Sequence, residues 1–399
     1  MNHPSPTKVI FVTPFWGNPR TGPEVYAKYL WESFRDDPDL EFHLVAAGEE
    51  DGAAHPRLHL IKHPGSSLAL FKAVAHRALE LTKQLGPRGI LHVNNSNFHH
   101  SLLGSAWPII GQINDYEAAN FLSNALDVLR KQGFRRFLSL GRRAYLERKF
   151  VRRQALTLCN SDFTRSRVRS AYGMQGDRRM RVVYKAVDVA KFLRLSGLVS
   201  PALAGKQGKI VFVGADYRRK GLDTLVSSLR HLSRPVRLRV VGVLAQDFER
   251  SYPGLCALAG QAGSVVEFLG YVERAGIPPI LWDADVFCMP SRDEALGVAL
   301  LEAVAAGLPC VAADVGGIPE IARHFASVSL VPPEEPLALA RALDRSLSRG
   351  APPTEGDKIS ILFGRETMVR AIAEIYYEVA ARTSQADAEG KPPRTSASK

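Results

Sequence analysis

Two carboxylates, Glu294 and Glu302, stand eight residues apart within residues 286–320, VFCMPSRDEALGVALLEAVAAGLPCVAADVGGIPE. On one helix that spacing separates them by about 12 Å along the axis, at 1.5 Å per residue. An acid and a base acting on one glycosidic bond stand about 5–9.5 Å apart. The spacing therefore suits two grips on one extended ligand better than paired acid–base work. A loop charge followed by a solvated helix residue has the same spacing, and spacing alone favours that plainer reading. A second group of candidates lies upstream, at Arg219-Lys220-Gly221. These residues immediately precede a helix expected over 224–232. Cationic side chains, free N–H groups and a helix dipole would converge there on one spot, which makes an anion site. A charged loop with no ligand is the alternative.

The elements that must hold these groups follow from the apolar pattern. Residues 286–289 and 310–313 are short apolar runs and read as buried strands. The segment 297–306 between them is rich in Ala, Leu and Val and reads as a helix, stopped by Gly307 and Pro309. A helix between two buried strands is a βαβ unit with parallel strands and a right-handed crossover. Ligands bind outside the carboxyl ends of such strands, where the loops carrying Glu294 and Gly316-Gly317 fall. Further strands are expected at 8–13, 41–47, 89–93, 107–113, 209–214, 237–242, 265–270 and 328–331. Helices are expected at 23–35, 67–85, 337–349 and 366–382, with two more in 118–153 split near Gly133. The linker-like segment 193–209 places the domain boundary near residue 190.

The stretch 286–320 resembles the donor-sugar signature of retaining glycosyltransferases of family 4, which have the GT-B fold. Pro290, Ser291, Glu294, Gly297, Glu302, Gly307, Pro309, Asp314, Gly316, Gly317 and Glu320 fit that signature, with Ala295-Leu296 in place of its usual Gly-Phe. Arg219-Lys220-Gly221 is similar to the diphosphate clamp of the lipopolysaccharide-core type. The resemblance implies an α/β chain with two Rossmann-like domains facing across a cleft. Residues 1–190 would bind the acceptor and 191–365 the nucleotide-sugar. A last helix, 366–382, would cross back to the first domain, and 383–399 would form a disordered tail. Donor binding is expected from Gly22, Arg219, Lys220, Glu294, Leu296, Gly297, Val298 and Glu302. Glu294 would hold sugar hydroxyls and Glu302 the ribose. The catalytic set is Asp115, Arg219, Lys220 and Glu294. The acceptor set is Asp115, His99 and His100; a surface carboxylate at a strand end is the alternative for Asp115. Asn114 replaces the His that many members carry before this Asp, and Lys185-Ala186 replaces the Asn-Gly of their linker motif.

The 399 residues carry a net charge of +12. Between Arg130 and Arg181 there are 16 Lys/Arg against Glu147, Asp162 and Asp177, so this stretch carries the whole excess. Such a field draws polyanions. Arg135, Arg136, Arg142, Arg143, Arg148 and Lys149 interleave with aromatic and aliphatic residues, which suits a helix lying on anionic lipid. It suits equally a helix packed on a sheet with its Arg side wet. No apolar run reaches the roughly 18 residues of a membrane span, and the start of the chain shows no signal-peptide core. Cys159, Cys256, Cys288 and Cys310 are too scattered for a metal site or a disulfide framework. No Gly-x-Gly-x-x-Gly fingerprint follows the first strand, so a nicotinamide cofactor is not expected.

The expected activity is hexose transfer, with retention, from a nucleotide-diphosphate sugar to a glycolipid or saccharide acceptor. The partners would be the two substrates and an anionic membrane surface, with no nucleic acid. No cofactor and no metal are expected. The location would be cytoplasmic, peripheral on the inner membrane face. A soluble sugar acceptor is one alternative; a non-catalytic polyanion-binding protein of the same fold is another.

Overall fold

The computed structural model describes residues 5–17, 22–48, 55–62, 66–95, 98–193, 207–349 and 355–388. The chain divides into two compact units, Met1–Tyr184 with Met368–Lys399, and Lys185–Thr367. Each is a parallel sheet with helices in its crossovers.

The first unit holds β1 (Thr7–Phe15), β2 (Leu40–Ala47), β3 (Leu58–Ile61), β4 (Ile90–Val93), β5 (Ile109–Ile113), β6 (Leu156–Cys159) and β7 (Met180–Val182). They form one sheet in the order β3-β2-β1-β4-β5-β6-β7, and every pairing is parallel. Strands covered on both faces need continuous apolar runs instead of alternation. In β1, Val9, Ile10, Phe11 and Val12 are all fully buried. His92 of β4 breaks the rule: it is fully buried, and its Nδ1 lies 2.7 Å from the Tyr376 hydroxyl. Tyr376 belongs to the last helix, Arg365–Ala388, which packs its Tyr376 ring beside Phe34 and Phe42.

The second unit holds β8 (Gly208–Val213), β9 (Val236–Val241), β10 (Val265–Gly270), β11 (Val286–Met289), β12 (Cys310–Ala313) and β13 (Val328–Val331). Their order is β10-β9-β8-β11-β12-β13, again all parallel. One core face is built from Ile210, Phe212, Leu225, Leu238, Val240, Val286, Cys288 and Val311, closed by Leu339 and Leu343 of the helix Pro336–Arg349.

Two expectations need correction. The last helix runs to Ala388, so Thr383–Ala388 is helix and not tail; Thr-Ser-Gln-Ala-Asp-Ala contains no Gly or Pro, and the first such residue is Gly390. The remainder of the expected tail, 389–399, lies outside the described residues, as does most of the expected linker. The helix expected over 224–232 begins earlier, at Leu222–Ser228, and tightens into a 3₁₀ turn at Leu229–His231.

Candidate functional site

In the second sheet the strand order reverses between β8 and β11, and a doubly wound sheet binds ligands at the carboxyl ends of such a pair. The loop after β8 carries Arg219 and Lys220; the loop after β11 carries Glu294. The Lys220 Nζ and a Glu294 carboxylate oxygen form an ion pair, and both side chains are largely enclosed. The Arg219 guanidinium donates to the Asp293 carbonyl at 3.0 Å and to Asp216 at 3.2 Å, and it stands 4.0 Å from the Glu294 carboxylate. Arg219 is more exposed than Lys220, so the pair presents one open and one enclosed cation.

Two glycines allow this approach. Gly221 adopts φ 67°, and a Cβ there would sit 2.0 Å from the Pro290 carbonyl oxygen. Gly316, at φ 59°, would place a Cβ 1.8 Å from the Glu294 carbonyl oxygen. That oxygen accepts the Gly317 N–H at 3.0 Å. Side chains at these points would push the Glu294 loop off both neighbours.

Glu294 is not helical. The helix is Val298–Ala305, entered through Gly297 at φ 102°. The 12 Å axial estimate, which needed both carboxylates on one helix, therefore does not apply. Glu302 is on the helix and only 2% exposed. Its Oε1 accepts from Arg274 at 2.5 Å. Burial raises its pKa, and the Arg274 charge and hydrogen bond oppose the rise. Leu296 is buried, while Val298 remains half-exposed at the first turn. Arg274 has no signal in the sequence that links it to Glu302.

In the first unit, the reversal falls between β1 and β4. A row of asparagines ties the strand ends together. Asn94 Nδ2 donates to the Pro23 carbonyl at 2.9 Å and to Thr13 Oγ1 at 3.3 Å. Asn114 Nδ2 donates to the Asn94 carbonyl at 2.7 Å, and Asn160 Nδ2 to the Asn114 carbonyl at 3.1 Å. The residue in place of the expected His thus joins β5 to β4. Gly22 begins the helix Gly22–Phe34, with open space where a Cβ would stand. His99 and His100 fall in the short helix His99–Leu102, but their side chains lie outside the described residues.

Asp115 is held by the basic stretch. Arg143 NH2 donates to both Asp115 oxygens, at 2.9 and 3.1 Å, and its NH1 donates to Glu117 at 2.9 Å. Burial lowers the Arg143 pKa, but the charges of Asp115, Glu147 and Glu117 outweigh it and the net shift is upward. Arg136 also pairs with Glu117. Arg143 and Arg136 are therefore not part of a free lipid-facing set, because the acids at the start of the helix Glu117–Gln132 draw them round. The helix Phe134–Arg153 buries Leu140, Ala144, Glu147, Phe150 and Val151. Its other face exposes Phe134, Leu138 and Tyr145 at 63%, 53% and 66%. At 100° per residue, Arg135, Arg142, Arg148 and Lys149 share or flank that face.

Residues 207–349 match the family model Glycosyl transferases group 1, and residues 20–191 match Glycosyltransferase Family 4. Each half of the chain is thus matched by a glycosyltransferase family model. Among curated relatives, a phosphatidyl-myo-inositol mannosyltransferase of Mycobacterium leprae is 36% identical over 170 residues, 40% of this chain and 43% of that protein. The chain spans half or less of the length of the curated relatives it matches. Sucrose-phosphate synthase from Thermosynechococcus elongatus shares the fold with a TM-score of 0.74 at 18% identity, over 94% of this chain and 100% of that one. Anabaena HepE in complex with UDP-glucose does so with a TM-score of 0.68 at 18% identity, over 93% and 99%. These likenesses bear out the two Rossmann-like α/β domains of the GT-B fold expected from the sequence. The region matched by the group 1 model contains Arg219, Lys220, Glu294 and Glu302; the region matched by the family 4 model contains Asp115, the asparagine row and the basic helix. Among the described residues, no group of three or more His, Cys, Asp or Glu is placed to hold a metal ion. No described helix is long and apolar enough to cross a membrane.

Proposed function

We propose that the chain transfers a hexose, with retention, from a nucleoside-diphosphate sugar to a glycolipid or polysaccharide-precursor acceptor at the cytoplasmic face of a membrane. The observation that carries this reading is the meeting of Lys220 and Glu294, with Arg219 beside them, at the switch point of the second sheet. Two cations and a carboxylate there match a ligand with a diphosphate at one point and hydroxyls at the next. As the bond from the anomeric carbon to the diphosphate oxygen breaks, negative charge gathers on the leaving group. Arg219, Lys220 and the N–H groups at the start of the helix Val298–Ala305 would neutralise it. Preorganised donors of this kind are worth about 3–4 kcal/mol each. The reading needs no metal, since cationic side chains supply the neutralising charge. Glu294 would exchange Lys220 for donor-sugar hydroxyls, and Glu302, kept in place by Arg274, would hold the ribose. Asp115 would orient or deprotonate the acceptor hydroxyl.

A lipid acceptor is supported by the exposed Phe134, Leu138 and Tyr145 among cations, and by the lipid substrate in the name of the mycobacterial relative. The Arg-Lys-Gly form of the clamp supports the lipopolysaccharide-core type of acceptor. Thermal shift with UDP-, GDP- and ADP-sugars tests the donor half. A ligand at 100 times its dissociation constant adds about 2.7 kcal/mol of stability. One of the three should stabilise the wild type, and Lys220→Ala and Glu294→Gln should abolish the shift. Equal shifts in wild type and both variants would refute the assignment.

A further inference from the structure

We infer that Arg292 is the positioning residue of this site: it fastens the Arg219–Lys220 loop to the Glu294 loop and so sets the geometry in which a nucleoside diphosphate is gripped. The inference rests on the donor reading above and adds a residue with no direct ligand role.

Arg292 follows β11 and lies two residues before Glu294. Its backbone N–H donates to the Arg219 carbonyl at 2.8 Å. Its NH1 and NH2 grip the Asp223 carboxylate at 2.7 and 2.6 Å. NH1 also donates to the Arg218 carbonyl at 2.6 Å, and Nε to Glu334 at 2.7 Å. A guanidinium has five N–H donors in a planar fork, and four are engaged by protein. Arg292 is thus occupied, while its neighbour Arg219 keeps an exposed head.

The engaged points enclose the functional ones. Arg218, Arg219 and Asp223 lie on either side of Lys220, so a single side chain and its own backbone hold that loop at three places. Glu334 reaches Arg292 from a backbone at φ 60°, the only non-glycine residue with positive φ among the described residues. A left-handed residue costs about 1–2 kcal/mol, and the contact with Arg292 gives that conformation a reason to persist. The Asp223 hydrogen bond pushes the Arg292 pKa up, against burial, which lowers it. Only a fork can make this set of contacts; a lysine ammonium is a point charge and cannot bridge Asp223 and Glu334 in a plane.

The test uses the full chain and Arg292→Lys, with Lys220→Ala as the control for the donor reading. Binding of UDP, GDP and ADP is measured by calorimetry beside UMP, GMP and AMP. For the diphosphate that binds wild type, Arg292→Lys should weaken affinity by about tenfold or more and leave the matching monophosphate within about twofold. With the sugar donor, KM should rise and kcat should fall, because the clamp acts in both the ground state and the transition state. Equal loss for diphosphate and monophosphate would show general loosening and overturn the inference. So would wild-type diphosphate binding by Arg292→Lys when Lys220→Ala has lost it, although the donor reading would then stand. If neither variant changes diphosphate binding, the donor reading falls and the inference falls with it. Should Arg292→Lys fail to fold, Asp223→Asn breaks the same clamp by removing its charge, and the same split between diphosphate and monophosphate decides.

Discussion

His92 should make the first domain acid-sensitive. Its ring is fully buried in β4, between Phe11, Tyr26 and Tyr376. None of these can neutralise a cation. Burial therefore pushes its pKa down from 6.5 to about 3. The sign follows from linkage: between those two values the unfolded chain binds a proton that the folded chain refuses, so stability falls as pH falls. The contribution is intact above pH 6.5. At pH 5 the unfolded histidine is almost fully protonated and the folded one is not, which costs about 2 kcal/mol. For a unit of this size that is a drop in Tm of about 4–8 °C. Three of the four tryptophans, Trp16, Trp31 and Trp107, lie in the first unit, and Trp282 lies in the second. Fluorescence-detected melting in a Trp282→Phe background therefore reports the first unit. His92→Gln keeps a polar partner for Tyr376 and cannot titrate. Its Tm should fall less than the parent's between pH 7.5 and pH 5, by most of that 4–8 °C. Identical pH profiles with and without His92 would refute the argument, since every other titrating group is common to both proteins.

Gly316→Ala should displace the Glu294 loop, because its Cβ would lie 1.8 Å from the Glu294 carbonyl oxygen. The left-handed backbone alone costs about 1–2 kcal/mol, so the Trp282-reported melting of the second unit should fall and donor binding should weaken; unchanged values for both would show that the loop is not held there. On vesicles containing anionic lipid at low salt, the wild type should bind. Neutralising Arg142, Arg148 and Lys149 together should weaken binding by about 100-fold, at roughly 1 kcal/mol per charge, whereas Phe134→Ser with Leu138→Ser should weaken it at every salt concentration. Binding indifferent to both changes would remove the membrane-surface reading.

The strands were legible because parallel strands buried on both faces read as unbroken apolar runs, as KVIFV, KIVFV and VFCM do. β3, β6 and β7 escaped that reading: Leu58–Ile61 is four residues long, interrupted by His59 and only half-buried, Leu156–Cys159 is four residues interrupted by Thr157, and Met180–Val182 is only three. The signature residues stood out as a pattern because they fall within two short stretches of sequence, 219–221 and 290–320. Their supports were not. Arg292 reaches Asp223 across 69 positions, Arg274 reaches Glu302 across 28, and Arg143 reaches Asp115 across 28. Nothing in composition or period marks such pairs. Arg143 and Arg136 show the cost of reading charge without partners: a cationic run looks uniform in sequence, yet helix rotation sends two of its members to Asp115 and Glu117 and leaves the others facing outward.

Sheet topology explains why residues 74 positions apart meet at all. β8 and β11 are hydrogen-bonded neighbours, and the chain leaves β8 towards β9 on one side and β11 towards β12 on the other. The two loops at their carboxyl ends thus diverge over opposite halves of the sheet and leave an opening between them. Lys220 and Glu294 occupy that opening, and Gly221 and Gly316 let the backbones around it close to contact. The first sheet has the same reversal between β1 and β4, but its opening is treated differently: Asn94 crosses from the β4 end to Thr13 of β1 and to the Pro23 carbonyl beyond it. Neutral amides there and fixed charges in the second domain are what two different ligands would require. A diphosphate needs cations, whereas an acceptor hydroxyl needs hydrogen-bond partners and one carboxylate. Arg143 holds both Asp115 oxygens at the end of β5, so the acceptor role proposed for that carboxylate requires this contact to open first.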